Sequence, residues 1–278
     1  MRLKCPACQQ ALSVRNDSVG RTLHCTANHS YDTAKDGYVN LLLAQNKRSK
    51  NPGDDHAMMQ CRQAFLNEGY YHFLADAIAD TIAGLGNGSP LEVLDIGCGE
   101  GYYGAVLRKR LAHVSLTGFD IAKTGVRLAA KRKAYSHLAV GSAYDIPVMP
   151  QSVDVGLSVF SPLDAKDTAR ALKPGGHLIT VGPGPCHLKH LAEQVYDLFK
   201  PHQNGFALVD NSPLFECINQ TQCHREVTLE GAAIYNLLTM TPYYWSASEE
   251  KQQAIKRLAR LTTALEFQIN TYRLISPS

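Results

Sequence analysis

From residue 91 onward, short apolar runs alternate with stretches in which apolar residues recur every three or four positions. Runs of the first kind predict buried strands, and stretches of the second kind predict amphipathic helices. Their alternation favours an α/β fold with a mostly parallel sheet, whose ligands bind at the carboxyl ends of the strands. The predicted strands are 91–97, 115–121, 137–143, 153–161 and 176–183, and the predicted helices are 101–112, 124–134, 164–172 and 187–200.

The segments on either side of this region carry further elements. Asp54 is predicted to cap a helix on which Met58, Arg62 and Phe65 share one face. A second helix follows Gly69, with apolar positions at Leu74, Ile78 and Ile82. Beyond residue 200, the predicted strands are 215–229 and 265–275, and the predicted helices are 230–239 and 248–264.

Composition is that of an ordinary globular protein. The chain has 278 residues, of which 45% are hydrophobic and 19% are charged. No apolar run is long enough to span a bilayer, and residues 1–5 do not begin a signal peptide, so we expect a cytoplasmic protein without a membrane partner. Because thiols stay reduced there, the eight cysteines are expected to be metal ligands or buried thiols.

The net charge of +3 is unevenly distributed. Residues 1–50 contain eight lysines or arginines and three aspartates, a sum of +5, which leaves −2 for the rest of the chain. A basic segment suits a polyanionic partner such as RNA, although a solvated surface explains it equally well. The same alternatives apply to the basic loop at 47–50.

Cys5, Cys8, Cys25 and His29 have the spacing of a zinc site, C-x2-C followed by C-x3-H. Four protein ligands complete a tetrahedral shell, which predicts a structural ion. A module of about 35 residues buries too little surface to fold alone, and zinc supplies the missing stability. The alternatives are four incidental residues, or His24 as the fourth ligand.

The chain therefore divides into three predicted parts. Residues 1–35 form a zinc-binding module for RNA recognition, 36–88 form a basic linker with helices, and 89–278 form the α/β domain. The lysines and arginines of the first part are expected to contact an RNA backbone.

The first strand of the α/β domain leads into a glycine-rich turn. Asp95 ends the apolar run, Gly97 and Gly99 follow, and Asp120 closes the next strand 25 residues after Asp95. Bare backbone at a helix N-terminus lets a ligand approach closely, and an acid at that distance suits ribose hydroxyls. The turn therefore predicts an adenosine-containing cofactor.

Two cofactor classes compete for this turn. Residues 99–104 match the G-x-G-x-x-G pattern of nicotinamide enzymes, which is weak evidence by itself. An acid at the strand end instead suits the ammonium and sulfonium of S-adenosylmethionine (AdoMet). The motif Lys-Pro-Gly-Gly at 173–176 is a further feature typical of AdoMet enzymes. The sequence thus favours AdoMet, no nicotinamide, and a Rossmann-like class I methyltransferase fold.

A set of motifs extends along most of the chain: the zinc knuckle, 34–42, Lys47-Arg48-Ser49 with Pro52-Gly53-Asp54, 94–103, 183–188 and 240–245. Together they resemble the 23S rRNA (guanine-N1)-methyltransferases of the RlmA type. The resemblance implies AdoMet, one structural zinc ion, a homodimer, and a guanine in a hairpin of 23S rRNA as the target. It favours position 745 over the neighbouring 748.

The resemblance also implies cofactor contacts beyond the glycine turn. The full predicted set is Tyr71, Asp95, Gly97, Gly99, Tyr103, Gly104, Asp120 and His187. Tyr103 and Gly104 begin a predicted helix, which suits such a contact. For Tyr71 and His187, core packing or a helix start is an open alternative.

The implied reaction is in-line transfer of a methyl group to guanine N1. The protein would hold the nucleophile in line, and a nearby group would accept the N1 proton. The sequence assigns no residue to that catalytic role. Candidates for stacking on the target base, with core packing as the alternative, are Phe160, Tyr243, Tyr244 and Trp245.

Two other functions fit many of these residues. One is methylation of a small molecule, and the other is zinc-dependent RNA binding with a degenerate cofactor pocket. The intact glycines and acids of the turn argue against the second.

Overall fold

The structure, a computed structural model, describes residues 2–16, 21–46, 53–203 and 205–275, so the predicted basic loop at 47–50 lies outside it. Within these ranges, no helix combines the length and apolar character needed to cross a bilayer. The strands are β1 (Ser13–Asn16), β2 (Arg21–His24), β3 (Ser30–Asp32), β4 (Val39–Asn40), β5 (Leu91–Ile96), β6 (Val114–Asp120), β7 (His137–Val140), β8 (Val153–Val159), β9 (Leu172–Pro183), β10 (Phe215–Glu230) and β11 (Arg260–Leu274). The helices are α1 (His56–Asn67), α2 (His72–Gly86), α3 (Tyr102–Arg110), α4 (Lys123–Lys131), α5 (Ala165–Ala171), α6 (Lys189–Val195), α7 (Ala207–Asp210), α8 (Ala232–Thr239), α9 (Tyr243–Ser246) and α10 (Glu249–Lys256), with a short 3-10 helix at Ala44–Asn46.

One large sheet organises the chain, with strand order β10-β11-β9-β8-β5-β6-β7-β4. The strands from β9 to β4 run parallel, and β11 and β10 extend the β9 edge in antiparallel fashion. The chain builds β5, β6 and β7 in one direction and then returns to place β8 beside β5. This reversal opens a crevice at the carboxyl ends of β5 and β8. The predicted mostly parallel α/β fold is confirmed.

Helix α2 packs against the sheet through the apolar stripe that its sequence predicted. Leu74, Ile78 and Ile82 are completely buried, because their spacing places them on one face of the helix. Each such side chain contributes about 1.5–3 kcal/mol of hydrophobic stabilisation. The helix ends where Asn87 adopts a left-handed conformation.

The N-terminal module docks on the far edge of the large sheet. β1, β2 and β3 form a separate antiparallel sheet, whereas β4 pairs in parallel with β7. Leu3 forms a β-bridge with Val148, and the buried Lys4 places its ammonium 2.6 Å from the Asp145 carboxylate. Backbone hydrogen bonds and the Lys4–Asp145 ion pair therefore join the two parts.

Several predicted element ends differ from the structure: the helix predicted at 187–200 ends at Val195, and the strand predicted at 137–143 ends at Val140. Two further differences have a clear physical reason. Asp55, rather than Asp54, caps α1, because its side chain accepts the Met58 N–H at 2.8 Å. The predicted helix at 248–264 ends early: α10 ends at Lys256, and strand β11 begins at Arg260. Pairing with β10 along all of β11 and with β9 along part of it outweighs the helical spacing of its leucines.

Candidate functional site

The four predicted zinc ligands lie together in the N-terminal module. The Cys8–Cys25 sulfur distance is 3.5 Å, and His29 Nδ1 is 3.3 Å from Cys25 Sγ and 3.7 Å from Cys5 Sγ. All four ligand atoms lie within 4.8 Å of one another. Zinc bonds of about 2.0–2.3 Å in a tetrahedron separate the ligand atoms by roughly 3.3–3.8 Å, so this donor set fits zinc.

The surroundings of the cluster also fit a metal site. The Tyr31 hydroxyl is 3.2 Å from Cys5 Sγ and can donate to the thiolate, as outer-sphere groups do around bound zinc. Among the described residues, the cluster contains His29 and not the alternative His24, which lies at the end of β2. Four protein donors leave no open position for catalysis.

The glycine turn after β5 brings bare backbone to the crevice. Gly97 and Gly99 have φ values of 71° and 53°, which L side chains rarely adopt. A Cβ on Gly97 would lie 1.9 Å from Ser161 Oγ, so this position is closed by the protein itself. A Cβ on Gly99 would have only Arg62 Nη1 near it, at 3.9 Å. Gly99 itself is buried and its N–H is bonded to Asp120, so the missing side chain leaves space between the turn and Arg62.

Asp120 is held at the edge of this turn by two backbone donors. Its carboxylate oxygens accept the Gly99 N–H at 2.9 Å and the Ala122 N–H at 2.7 Å. Burial raises the pKa of Asp120, and these two hydrogen bonds counteract the rise. A carboxylate offers about four acceptor positions, so the oxygens retain capacity for a pair of ligand hydroxyls.

Asp95 lies beneath the turn and is bonded to Tyr135. The Tyr135 hydroxyl donates to Asp95 Oδ2 at 2.6 Å. Burial raises the pKa of Asp95 to about 7, while the Tyr135 hydrogen bond lowers it and the neighbouring Asp120 raises it further. The buried acid is therefore poised between its neutral and charged forms near neutral pH, and a nearby cation would favour the charged form.

Gly104 makes room for the same tyrosine. A Cβ at residue 104 would lie 2.2 Å from Tyr135 Oη, so glycine lets this hydroxyl reach Asp95. The neighbouring Tyr103 is half-buried, and its ring meets that of Tyr102 edge to face at 5.3 Å. Tyr103 and Gly104 thus both border the turn. Gly104 does so through the Tyr135 side chain, which packs against it.

Tyr71 and His187, predicted from the resemblance alone, form a buried pair. His187 Nδ1 accepts the Glu266 N–H at 3.2 Å, which assigns the ring proton to Nε2. Burial lowers the pKa of His187 to about 3, so the ring is neutral. Nε2–H then donates to Tyr71 Oη at 3.4 Å. Within the described ranges, the Tyr71 hydroxyl proton has no acceptor, so it can donate to a ligand.

The predicted stacking residues differ in their exposure and contacts. Phe160 follows β8 with a φ of 52°, is 46% exposed, and stacks on His187 with ring centroids 6.2 Å apart. Trp245 is 66% exposed, and Tyr243 Oη is 2.9 Å from His202 Nε2. A bulky residue held in this strained backbone conformation is a feature of functional sites.

Sequence reasoning missed three residues of the crevice. Tyr135 reaches Asp95 from 40 positions away, and Ser161 closes the space above Gly97. No local sequence pattern predicts either contact. Arg62 did leave a signal, because it places a charge on the same helix face as Met58 and Phe65.

Two family profiles match the chain. The profile described as "RlmA, N-terminal", a zinc ribbon, matches residues 3–50, and the profile described as "Methyltransferase domain" matches residues 93–176. The zinc cluster lies in the first range, and the glycine turn and Asp120 lie in the second. Together with the geometry, the profiles make zinc and AdoMet the metal and the cofactor of this protein.

Whole-length relatives are also found. A Streptomyces fradiae protein named "23S rRNA (guanine(748)-N(1))-methyltransferase" is 30% identical over 93% of this chain and 90% of its own length. A Bacillus subtilis (strain 168) protein named "Putative 23S rRNA (guanine-N(1)-)-methyltransferase YxjB" is 31% identical over 92% of this chain and 91% of its own. Both alignments include the module and the α/β domain.

Proposed function

The chain belongs to the family of 23S rRNA (guanine-N1)-methyltransferases, and we propose that it methylates N1 of a guanine in a hairpin of 23S rRNA, at position 745. The observation that carries this proposal is the pairing, in one chain, of a closed zinc cluster with an open glycine-turn crevice. AdoMet supplies an electrophilic methyl group on its sulfonium. The residues of the chain bind the reactants and orient them.

The crevice residues have chemistry that suits each part of AdoMet. Asp120 is placed to accept hydrogen bonds from ribose hydroxyls, and a Cβ on the adjacent Gly99 would have only Arg62 near it. Asp95 supplies negative charge below the turn for the cationic part of the cofactor. The Tyr71 O–H, oriented by His187, has no acceptor among the described residues and is therefore a donor for a ligand.

The exposed aromatic residues suit a guanine removed from its base pair. Stacking on an aromatic ring holds an extruded or single-stranded base. Phe160 and Trp245 are exposed, whereas Tyr243 is bound to His202, which makes the first two the better stacking surfaces. Holding the base fixes N1 in line with the methyl group.

The zinc module has the charge that RNA capture requires. Arg2, Arg15 and Arg21 lie in its described part, and the contacts of Lys4 with Asp145 and of Leu3 with Val148 fix the module to the α/β domain. RNA bound by a fixed module would approach the catalytic domain in a defined orientation. The homodimer, the cytoplasmic location and the three-part division stay predictions.

In vitro methylation tests this function directly. The protein is incubated with labelled AdoMet and with 23S rRNA that lacks the modification, and primer extension locates the methylated guanine. We expect one stop, at position 745. The control pair is Asp120→Asn, expected to be nearly inactive, and Asp80→Asn, an exposed acid on α2 paired with Arg110 that should behave as wild type.

One alternative target has its own support. The name of the Streptomyces relative specifies guanine 748, and a single stop at that position would establish this alternative. Absence of label in any RNA, together with methylation of small metabolites, would overturn the RNA proposal.

A further inference from the structure

Arg62 is a charged residue on an otherwise apolar face of α1. Met58 and Phe65 on the same face are buried, and the Arg62 side chain itself is only 28% exposed. Its Nη1 lies 2.5 Å from Asp54 Oδ2, and its Nη2 donates to the Met240 carbonyl oxygen at 3.2 Å. These two contacts hold the guanidinium in one place.

That place borders the glycine turn. Arg62 Nη1 is 3.9 Å from the position that a Cβ on Gly99 would occupy. Burial raises the pKa values of Tyr71, Tyr103 and Asp120, and the positive charge of Arg62 opposes the rise at each of them. The guanidinium is therefore close to three residues predicted to contact the cofactor.

The charges around the crevice determine what a cation there can bind. Asp95, Asp120 and Asp54 supply negative charge, which suits the sulfonium and the ammonium of AdoMet. The one anionic group of AdoMet is the carboxylate of its methionine part. A guanidinium has five N–H donors, and the contacts to Asp54 and Met240 use two of them, so a bidentate bond to a carboxylate is available.

We propose that Arg62 binds the carboxylate of AdoMet and that Asp54 positions the guanidinium for this contact. The assignment rests on the proposed AdoMet-dependent function and adds a specific contact to it. Arg62 also holds the segment that leads to the exposed Trp245, through its bond to the Met240 carbonyl. The cofactor carboxylate and the segment that carries Trp245 would thus share one anchor.

The experiment compares two ligands by calorimetry, without RNA. S-adenosylhomocysteine carries the carboxylate, whereas 5′-methylthioadenosine has the same nucleoside and sulfur but no amino-acid part. We expect Arg62→Gln to weaken binding of the first ligand by about ten- to a hundredfold, the loss of a charge-assisted bond. Binding of methylthioadenosine should change by less than about twofold. Arg62→Lys should restore part of the loss, because a point charge remains.

The matched control is Arg110→Gln on α3, which removes an arginine paired with Asp76 and Asp80 on the surface. It should leave both affinities unchanged. Equal weakening of both ligands by Arg62→Gln would mean that Arg62 only supports the fold, and an unchanged affinity for S-adenosylhomocysteine would mean that it makes no contact. Either result overturns the assignment.

The binding assay also separates this assignment from the proposed function. If the ligand-selective loss occurs but no RNA is methylated, the carboxylate contact stands and the RNA substrate is wrong. If the wild-type protein binds neither ligand, both proposals fail.

Discussion

The zinc cluster and the glycine-turn crevice differ in how far the protein itself completes them. In the cluster, four side chains at mutual distances that suit zinc fill the coordination shell, and Tyr31 adds an outer hydrogen bond. In the crevice, Asp120 keeps unused acceptor capacity, only Arg62 lies near the position of a Cβ on Gly99, and the Tyr71 hydroxyl has an unused proton among the described residues.

This difference separates a structural site from a functional one. A closed coordination shell has no open position for a substrate, and the free energy of metal binding stabilises the folded module. An open site holds oriented groups that are satisfied only when a ligand arrives, so its binding energy is available for orientation. Changes in the cluster should therefore act on stability, and changes in the crevice should act on affinity or rate.

Loss of the metal should have the largest effect. Cys25→Ser removes one of four ligands, and structural zinc contributes about 10 kcal/mol or more to such modules. We expect near-complete loss of bound zinc by atomic emission, and loss of hydrogen-exchange protection in β1–β3. His24→Ala is the control and should keep the metal. Retention of zinc and protection by the serine variant would contradict the ligand set.

The same variant sharpens the comparison of the two sites. The crevice is built from β5, β6 and the helices around them, so its affinity for S-adenosylhomocysteine should change by less than about threefold when zinc is lost. Methylation of RNA should be lost, because the module no longer presents the RNA. A large loss of cofactor affinity would mean that the two sites are coupled.

Removing the acid at the end of β6 should have the next largest effect. Asp120→Asn replaces charge-assisted acceptors by a neutral amide, and two such hydrogen bonds account for about 3 kcal/mol, roughly a hundredfold in affinity. Unlike Arg62→Gln, it should weaken S-adenosylhomocysteine and methylthioadenosine alike, because both carry the ribose. Calorimetry with Asp80→Asn as control measures this, and selective weakening of one ligand would contradict the ribose role.

The buried Asp95 should make the stability of the unliganded protein depend on pH. Burial raises its pKa to about 7, whereas an unfolded chain has about 3.9. Between these values the folded state binds more protons than the unfolded one, so stability falls as pH rises and levels off above pH 7.

Asp95→Asn removes this titration. Between pH 5.5 and 7.5, the free energy of unfolding of the variant relative to wild type should rise by about 2 kcal/mol. Urea unfolding at both pH values measures the change, and saturating S-adenosylhomocysteine should reduce it, because the ligand's ammonium favours the charged acid. A difference that is the same at both pH values would mean that Asp95 is already ionised at pH 5.5.

Sequence patterns predicted these features unequally, and the reason is physical. The alternation of strands and helices and the zinc spacing are local, so they can be read directly. Asp54 and Asp55 are adjacent acids, and either could cap α1; only the bond to the Met58 N–H distinguishes them. Leu261 and Leu265 lie four residues apart, a spacing that fits a helix and also an even number of strand steps.

Contacts across the fold could not be read in this way. Tyr135 reaches Asp95 because α4 and β7 return the chain beneath the turn, and Gly104 and Gly118 leave space for its ring. Likewise β4, only two residues long, joins the large sheet through the docking of the whole module. Such contacts depend on where distant elements meet. The sequence therefore predicts the residues of the site better than the contacts between them.

Phe160 offers the smallest but most discriminating test of the comparison. Its backbone has a φ of 52°, a conformation that costs a residue with a side chain about 1–2 kcal/mol and costs glycine little. If the exposed ring serves substrate stacking, Phe160→Gly should lower kcat/KM for RNA by about tenfold or more. The stability of the variant should fall little, because the relieved strain offsets the lost contacts with His187 and Phe267.

Leu208→Ala, at an exposed apolar residue on α7, is the control for general surface effects and should change neither kcat/KM nor stability. Methylation kinetics and thermal unfolding of the same samples decide the matter: a large loss of stability with unchanged kinetics would assign Phe160 to packing and remove it from the open site.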